Sequence, residues 1–232
     1  MNKKLSGIIG IILSILLLVY FEPYTYKLLS LLNINIYNYS NTVRMIIDIV
    51  IKLVMCFIIY LLYKKDFKHS RKDSNIFKNV LIMLVSLICL VLVMYLFNYV
   101  VNYLGDIFNV KIIENNFYNI FDKKLDIYLV IKIIKDYIIT PFIYCSIILL
   151  SVDKICRRND TFILLSGLLA SICHALTLSG TLTYVIINSL STFILFIILS
   201  LLYRKSNSIW FSIVLYGLYL VSNIIILKYI GW

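Results

Sequence analysis

One histidine stands where a histidine is costly. His174 lies between Cys173 and Ala175, well inside an apolar run. An imidazole there can ligate a metal, relay a proton or hydrogen-bond a packing partner. The chain's second histidine, His69, sits in a cationic loop and needs no special role. Catalytic zinc takes about three protein ligands, and no second histidine is available in the apolar runs, so neither a metal nor a cofactor is expected. Structural hydrogen bonding is the plainer role for His174. Ser166, Ser171, Ser189 and Ser191 also lie in apolar runs, where small polar residues pack helices together. No G-x-S-x-G setting marks any serine as a nucleophile. Cysteines 56, 89, 145, 156 and 173 are odd in number and show no C-x-x-C spacing. Four of them are in apolar runs, so they read as small packing residues and not as a disulfide or zinc framework.

Charged residues inside apolar runs are the second group that needs a reason. Asp48 and Lys52 are four apart, on one face of a helix, and can pair; both are candidate binding residues, with a structural pair the plainer reading. Lys132 and Asp136 repeat that spacing beside Lys135. They fit a helix that starts in the interfacial region and enters the apolar core near Tyr137. A transport path would need matching charges deeper in other segments, and few exist.

The segments that carry these residues are unusually apolar. Hydrophobic residues make up 62% of the 232, and charged residues only 14%; soluble domains sit near half and a quarter. The apolar residues fall in continuous runs of about twenty, enough to cross a hydrocarbon core as a helix. Helices and closed barrels are the structures that satisfy a backbone in lipid. The expectation is an all-α, polytopic bundle of about seven transmembrane helices, forming a single integral membrane domain over 1–232. The segments run Leu5–Phe21, Met45–Tyr63, Asn79–Leu104, Ile127–Val152, Thr161–Leu178, Leu182–Tyr203 and Ile209–Ile230. Glu22–Arg44 reads as a polar, tyrosine-rich connection, and Gly105–Asp126 as a mixed, aromatic one with room for an interfacial helix. The first run imitates a signal peptide, but it is long and ends in Phe21-Glu22-Pro23, so it reads as an uncleaved span.

The net charge of +11 would suggest nucleic acid in a soluble chain. Here the cations cluster in alternate connections. Lys3–Lys4, Lys64–Lys78, Asp153–Asp160 and Arg204–Lys205 hold 13 of the 22, with four acids. Short cytoplasmic connections carry such an excess, which places the N-terminus inside and Trp232 outside. The partner implied is a lipid bilayer with anionic headgroups, not nucleic acid. Heavy use of Ile, Asn, Lys and Tyr suggests an AT-rich bacterial genome, hence a bacterial plasma membrane.

Residues 127–230 carry a resemblance. Leu164-Leu-Ser-Gly-Leu-Leu-Ala-Ser-Ile-Cys-His174 resembles the second motif of the CPBP family, the CAAX proteases and bacteriocin-processing proteins. Phe193–Tyr203 followed by Arg204-Lys-Ser-Asn-Ser-Ile-Trp210 resembles that family's next helix, its basic turn and the start of the helix bearing its last histidine. Thr140-Pro141-Phe142-Ile143 resembles the approach to its paired glutamates. Order and spacing agree over roughly residues 130–225, while 1–126 offers only the right number of helices. The resemblance implies a helical intramembrane endopeptidase in which two glutamates and two histidines activate a water. This chain departs from it at the reactive positions. Tyr144 and Cys145 stand for the glutamates, Leu149 for the motif arginine, Ala170 for the phenylalanine before the kept His174, and Tyr216 for the second histidine. Leu220 replaces the following Asn or Asp, with Asn223 one turn on.

Activating water at neutral pH needs a carboxylate base or a metal, and segments four to seven hold no glutamate. Counted from the segment ends at 1.5 Å per residue, Tyr144, Cys145, His174 and Tyr216 share a band roughly 8 Å deep. The expectation is a Tyr–His–Tyr cluster, hydrogen-bonded and not hydrolytic. The resemblance then implies a catalytically degenerate relative that binds a peptide or a membrane-protein partner, with bacteriocin self-immunity or peptide maturation and export among its settings. An active endopeptidase with displaced residues is a second reading. A transporter-associated or lipid-binding subunit is a third.

Overall fold

The computed structural model describes residues 3–31, 34, 36–69, 75–107 and 127–226. These residues form helices and short connections, without a strand among them. Helix α1 (Lys3–Ile15) passes through a π-helical turn, Leu16–Tyr20, into α2 (Phe21–Leu31). Helices α3 (Asn41–His69) and α4 (Ile76–Ile107) follow. Helix α5 (Ile127–Ile134) runs through a second π-helical turn, Lys135–Ile139, into α6 (Thr140–Ile155). Helices α7 (Asn159–Thr177), α8 (Leu182–Ser206) and α9 (Ile209–Ile226) complete the described residues. The middle of the basic loop, residues 70–74, most of the expected aromatic connection, 108–126, and the end of segment seven, 227–232, lie outside the described residues.

Among the described residues six stretches are long and apolar enough to cross a membrane: Gly7–Leu31, Asn41–Lys68, Ile76–Gly105, Val130–Ile155, Asn159–Thr177 and Leu182–Ser206. Ile209–Asn223 is apolar but shorter. The chain is a multi-pass membrane protein of helical architecture. The first segment departs from expectation. It does not end at Phe21; the helix continues through Glu22 and Pro23 to Leu31. A proline lacks an N–H and crowds the carbonyl four residues back, and a π turn is one way a helix absorbs such a break. The chain has two prolines, and each stands just after a π turn.

Helix α6 is the hub. Ten of its residues are buried, from Pro141 to Val152. Helix α1 lies antiparallel along it because glycines allow the approach. A Cβ on Gly10 would stand 2.8 Å from both Ser151 Oγ and Tyr63 Oη. Ser14 Oγ sits 3.3 Å from Ser151 Oγ and 3.3 Å from the Ile147 carbonyl oxygen. Tyr63 Oη is 2.5 Å from Ser151 Oγ, which ties in α3. Tyr63 has φ −114° and ψ 16°, and α3 kinks there. Phe67, Phe142 and Trp210 stack in a cluster joining α3, α6 and α9, with centroids 5.6 to 6.3 Å apart.

Charged groups close the end of the bundle that holds the start of α1, here the proximal end. Arg204 bonds Asp153 at 2.8 Å and the Cys156 carbonyl at 2.9 Å, and covers the Phe162 ring at 4.1 Å. Lys154 pairs with Asp66 at 2.9 Å. Gly180, at φ 154°, turns α7 into α8, and Thr181 Oγ1 accepts the Tyr184 N–H at 3.3 Å. Gly167 lets the two helices meet: its Cβ would be 2.9 Å from the Phe193 ring.

Candidate functional site

Tyr144 and Cys145 on α6, Cys173 on α7, and Tyr216 and Tyr219 on α9 converge in the middle of the bundle. Cys145 and Cys173 are fully buried, and Tyr219 nearly so. Tyr144 and Tyr216 are half-buried and pack against the core. Tyr216 lies within electrostatic reach of Tyr144, Cys145 and Tyr219, and Tyr144 within reach of Cys173, of Glu22 on α2 and of Thr177. Cys145 Sγ is 3.7 Å from the Ser212 carbonyl oxygen. The Tyr216 ring meets Phe196 of α8 edge-on, centroids 6.0 Å apart at 79°. Asn223, one turn beyond Tyr219, interacts with that tyrosine's side chain. Helices α6, α7 and α9 therefore place aromatic hydroxyls and thiols together, against the Phe196 ring of α8.

His174 takes a different place from the one expected. It is half-buried at the edge of the packed face of α7, next to buried Cys173 and one turn past buried Ala170. Among the described residues no hydrogen bond reaches its imidazole from Tyr144 or Tyr216. The recorded contact is to its backbone: Thr177 Oγ1 donates to the His174 carbonyl at 2.7 Å. The tyrosines meet each other and the cysteines, with the histidine to one side.

The arrangement can bind but has little with which to hydrolyse. A phenol, with an ordinary pKa near 10, donates and accepts hydrogen bonds at neutral pH and is a poor base. A thiol enclosed by apolar side chains is unreactive. The carboxylates of α6 to α9, Asp153 and Asp160, lie at the proximal end: Asp153 is committed to Arg204 and Tyr203, and Asp160 starts α7. Among the described residues no three His, Cys, Asp or Glu side chains gather as metal ligands.

A second polar cluster lies at the distal end, and it corrects the expected pairing. Asp48 forms its ion pair with Lys135, at 3.6 Å, and not with Lys52. Lys52 reaches Thr140 Oγ1 at 3.4 Å. Lys135 also stands 3.8 Å from Asp136, so Asp136 pairs with its neighbour and not with Lys132. Tyr26 of α2 donates to Asp48, and its hydroxyl lies 3.2 Å from Glu22 Oε1. The reason for the exchange is the π turn. It adds a residue to the helix between Ile134 and Thr140, which breaks the i,i+4 register on α5 and turns Lys135 toward α3. Thr140 closes the turn, both its N–H and its hydroxyl bonding the Lys135 carbonyl, the latter at 2.9 Å. Asp48 and Lys52 were legible as candidates; Glu22, Tyr26 and Lys135 were not read as their partners. Pro23 and Pro141 were the available signal.

Compared with known proteins, the chain matches no family model, no curated protein and no solved structure.

Proposed function

We propose that this protein is a non-catalytic, CPBP-like binding protein of a bacterial plasma membrane, holding a peptide or a segment of another membrane protein at the Tyr144–Tyr216 cluster. Self-immunity to a bacteriocin and peptide maturation or export are the settings that the resemblance suggests. The observation that carries the reading is the composition of the cluster. The positions where the resemblance calls for two glutamates and a histidine hold Tyr144, Cys145 and Tyr216, and these meet in one place, with no carboxylate supplied by α6 to α9 and Glu22 of α2 the acid within electrostatic reach. A desolvated site of this kind rewards a ligand that supplies hydrogen-bonding backbone and apolar side chains. Hydroxyl pairs in membrane interiors contribute about 0.6 kcal/mol each, so several must act together. In this reading the chain crosses the membrane seven times with its N-terminus inside, Ile209–Asn223 being one of the crossings, and the cluster lies in mid-membrane.

Affinity capture of the intact protein from native membranes, read by mass spectrometry, tests this. The expected result is a reproducible peptide or membrane-protein partner, lost in a Tyr144→Ala, Tyr216→Ala double variant that still folds. Cleavage of a bound peptide that disappears in His174→Ala would instead establish the endopeptidase reading. Co-purification with transporter subunits or lipid alone would favour the transporter-associated one.

A further inference from the structure

The inner faces of three helices change character at one place. On α8, Asn188, Thr192, Leu195, Leu199, Leu202 and Ser206 recur at steps of three and four, so they lie in one stripe. The last four are buried, at most 5% exposed. Asn188 and Thr192 are only half-buried, and no residue of Leu182–Ile194 is fully buried. At 1.5 Å per residue that stretch is about 20 Å of helix, far more than a frayed end. Helices α7 and α9 change in the same direction. Phe162, Ser166, Ala170 and Cys173 form the buried stripe of α7, and Thr177, next on it, is exposed. On α9 Ile209 and Ser212 are buried, while Tyr216, Leu220 and Asn223 on the same face are half-buried; Tyr219 beside them stays buried. Gly167 against Phe193 sets α7 beside α8, and Ser212 Oγ, donating to the Leu199 carbonyl at 2.9 Å, sets α9 beside it. Counted distally from that bond, Thr192 is level with Tyr219, and Asn188 with Asn223. The loss of burial begins where the Tyr216 ring meets Phe196 edge-on.

The faces that lose burial are polar, and their helices carry no ion. Thr161–Tyr203 and Ile209–Ile226 contain no Asp, Glu, Lys or Arg, and His174 is their one imidazole. Each polar side chain on the α8 face spends a donor on its own helix. Asn188 Nδ2 donates to the Tyr184 carbonyl at 2.8 Å, Ser189 Oγ to that of Val185 at 2.6 Å, and Thr192 Oγ1 to that of Asn188 at 3.0 Å. Their oxygen lone pairs are left to accept. Among the described residues no hydrogen bond holds the Tyr216 hydroxyl, which is left to donate. A lipid-facing surface gains nothing from such groups. Polar side chains within a membrane face the bundle interior or a water-filled space, and here they stand on an interior face that is not closed.

We propose that the distal halves of α7, α8 and α9 enclose a vestibule, floored by Phe196 and Tyr216, that water enters from the distal side and that admits uncharged hydrogen-bonding molecules in preference to ions. An ion entering it loses hydration and meets no opposite charge on these three helices, whereas a neutral donor meets the oxygens of Asn188, Ser189 and Thr192. That the vestibule leads an uncharged stretch of peptide to the Tyr144–Tyr216 cluster rests on the function proposed above; its opening and its preference for uncharged molecules do not.

Cysteine accessibility in lipid nanodiscs tests this. Thr192→Cys and Asn188→Cys report the vestibule. Leu190→Cys reports the opposite, exposed face of α8, and Leu182→Cys the exposed distal start of the helix. The background carries Cys56→Ala and Cys89→Ala, and its own labelling is subtracted. Three methanethiosulfonates are compared, the neutral hydroxyethyl, the cationic trimethylammonium and the anionic sulfonatoethyl reagent, at about pH 8, where an ordinary imidazole is neutral. The expected result is that the neutral reagent modifies Thr192→Cys and Asn188→Cys but not Leu190→Cys, although Leu190 lies nearer the distal end than Thr192. Relative to the rates at Leu182→Cys, both charged reagents are slower than the neutral one at Thr192→Cys by about tenfold or more, because an unpaired charge is costly inside a membrane. Reaction at Thr192→Cys and Asn188→Cys no faster than at Leu190→Cys would overturn the vestibule. Equal relative rates for the three reagents would overturn its preference for uncharged molecules. A labelled, ion-disfavouring vestibule combined with no partner captured at the cluster would leave this inference standing and overturn the binding function.

Discussion

Gly217 is where the freed carbonyl of the α6 break is accommodated. A Cβ there would stand 2.7 Å from the Tyr137 backbone oxygen, the carbonyl that Pro141 leaves without its helical donor. A backbone atom inside a packed helix pair cannot move aside cheaply. Gly217→Ala is expected to destabilise the bundle by about 1–3 kcal/mol, read by reversible denaturation in micelles. Arg204 is the second residue on which much converges, with Asp153, the Cys156 carbonyl and the Phe162 ring all on one guanidinium. Arg204→Met is expected to cost about 1.5–3 kcal/mol, the range for hydrogen bonds to a charged group. Arg204→Lys recovers part of that, since an ammonium keeps the charge and loses the fork. The resemblance singled out Tyr144, Cys145, His174 and Tyr216, and residue count along each segment set them in one band, because depth along a helix follows from residue count. It did not place His174 beside the cluster's edge, because rotation about the helix axis accumulates error with every residue counted from an uncertain end.

At the scale of elements, the sequence located the apolar helices well and their polar ends poorly. Helix α2 hid inside a stretch rich in tyrosine and interrupted by proline, which reads as a connection until the π turn before it is known. The Asp48–Lys52 pairing failed for a related reason: spacing along one helix is visible in a sequence, and a partner on another helix is not. The π turn itself can be tested. Deleting Ile138, which is exposed, removes the extra residue and rotates everything before it by about 100° relative to α6. Lys135 then turns away from α3. Disulfide trapping between Asp48→Cys and Lys135→Cys is expected to succeed with the turn intact and to fail after the deletion.

At the scale of the molecule, the apolar runs announced a multi-pass helical protein, and six membrane-length helices carry that reading. The proposed direction follows from where the cations lie, and its sharpest consequence is at the C-terminus: with seven crossings and an inside N-terminus, Trp232 is outside. An alkaline phosphatase fused after Trp232 is then active, and a fusion in the Lys64–Lys78 loop is not. The central claim concerns what the cluster holds. A photo-crosslinking phenylalanine analogue in place of Tyr216, irradiated in native membranes, tests it most directly. The account predicts a specific adduct with a peptide or membrane protein that is recovered uncleaved and is competed by unlabelled protein. Adducts confined to lipid or to the protein's own helices, or a partner recovered as fragments whose formation requires His174, would contradict it.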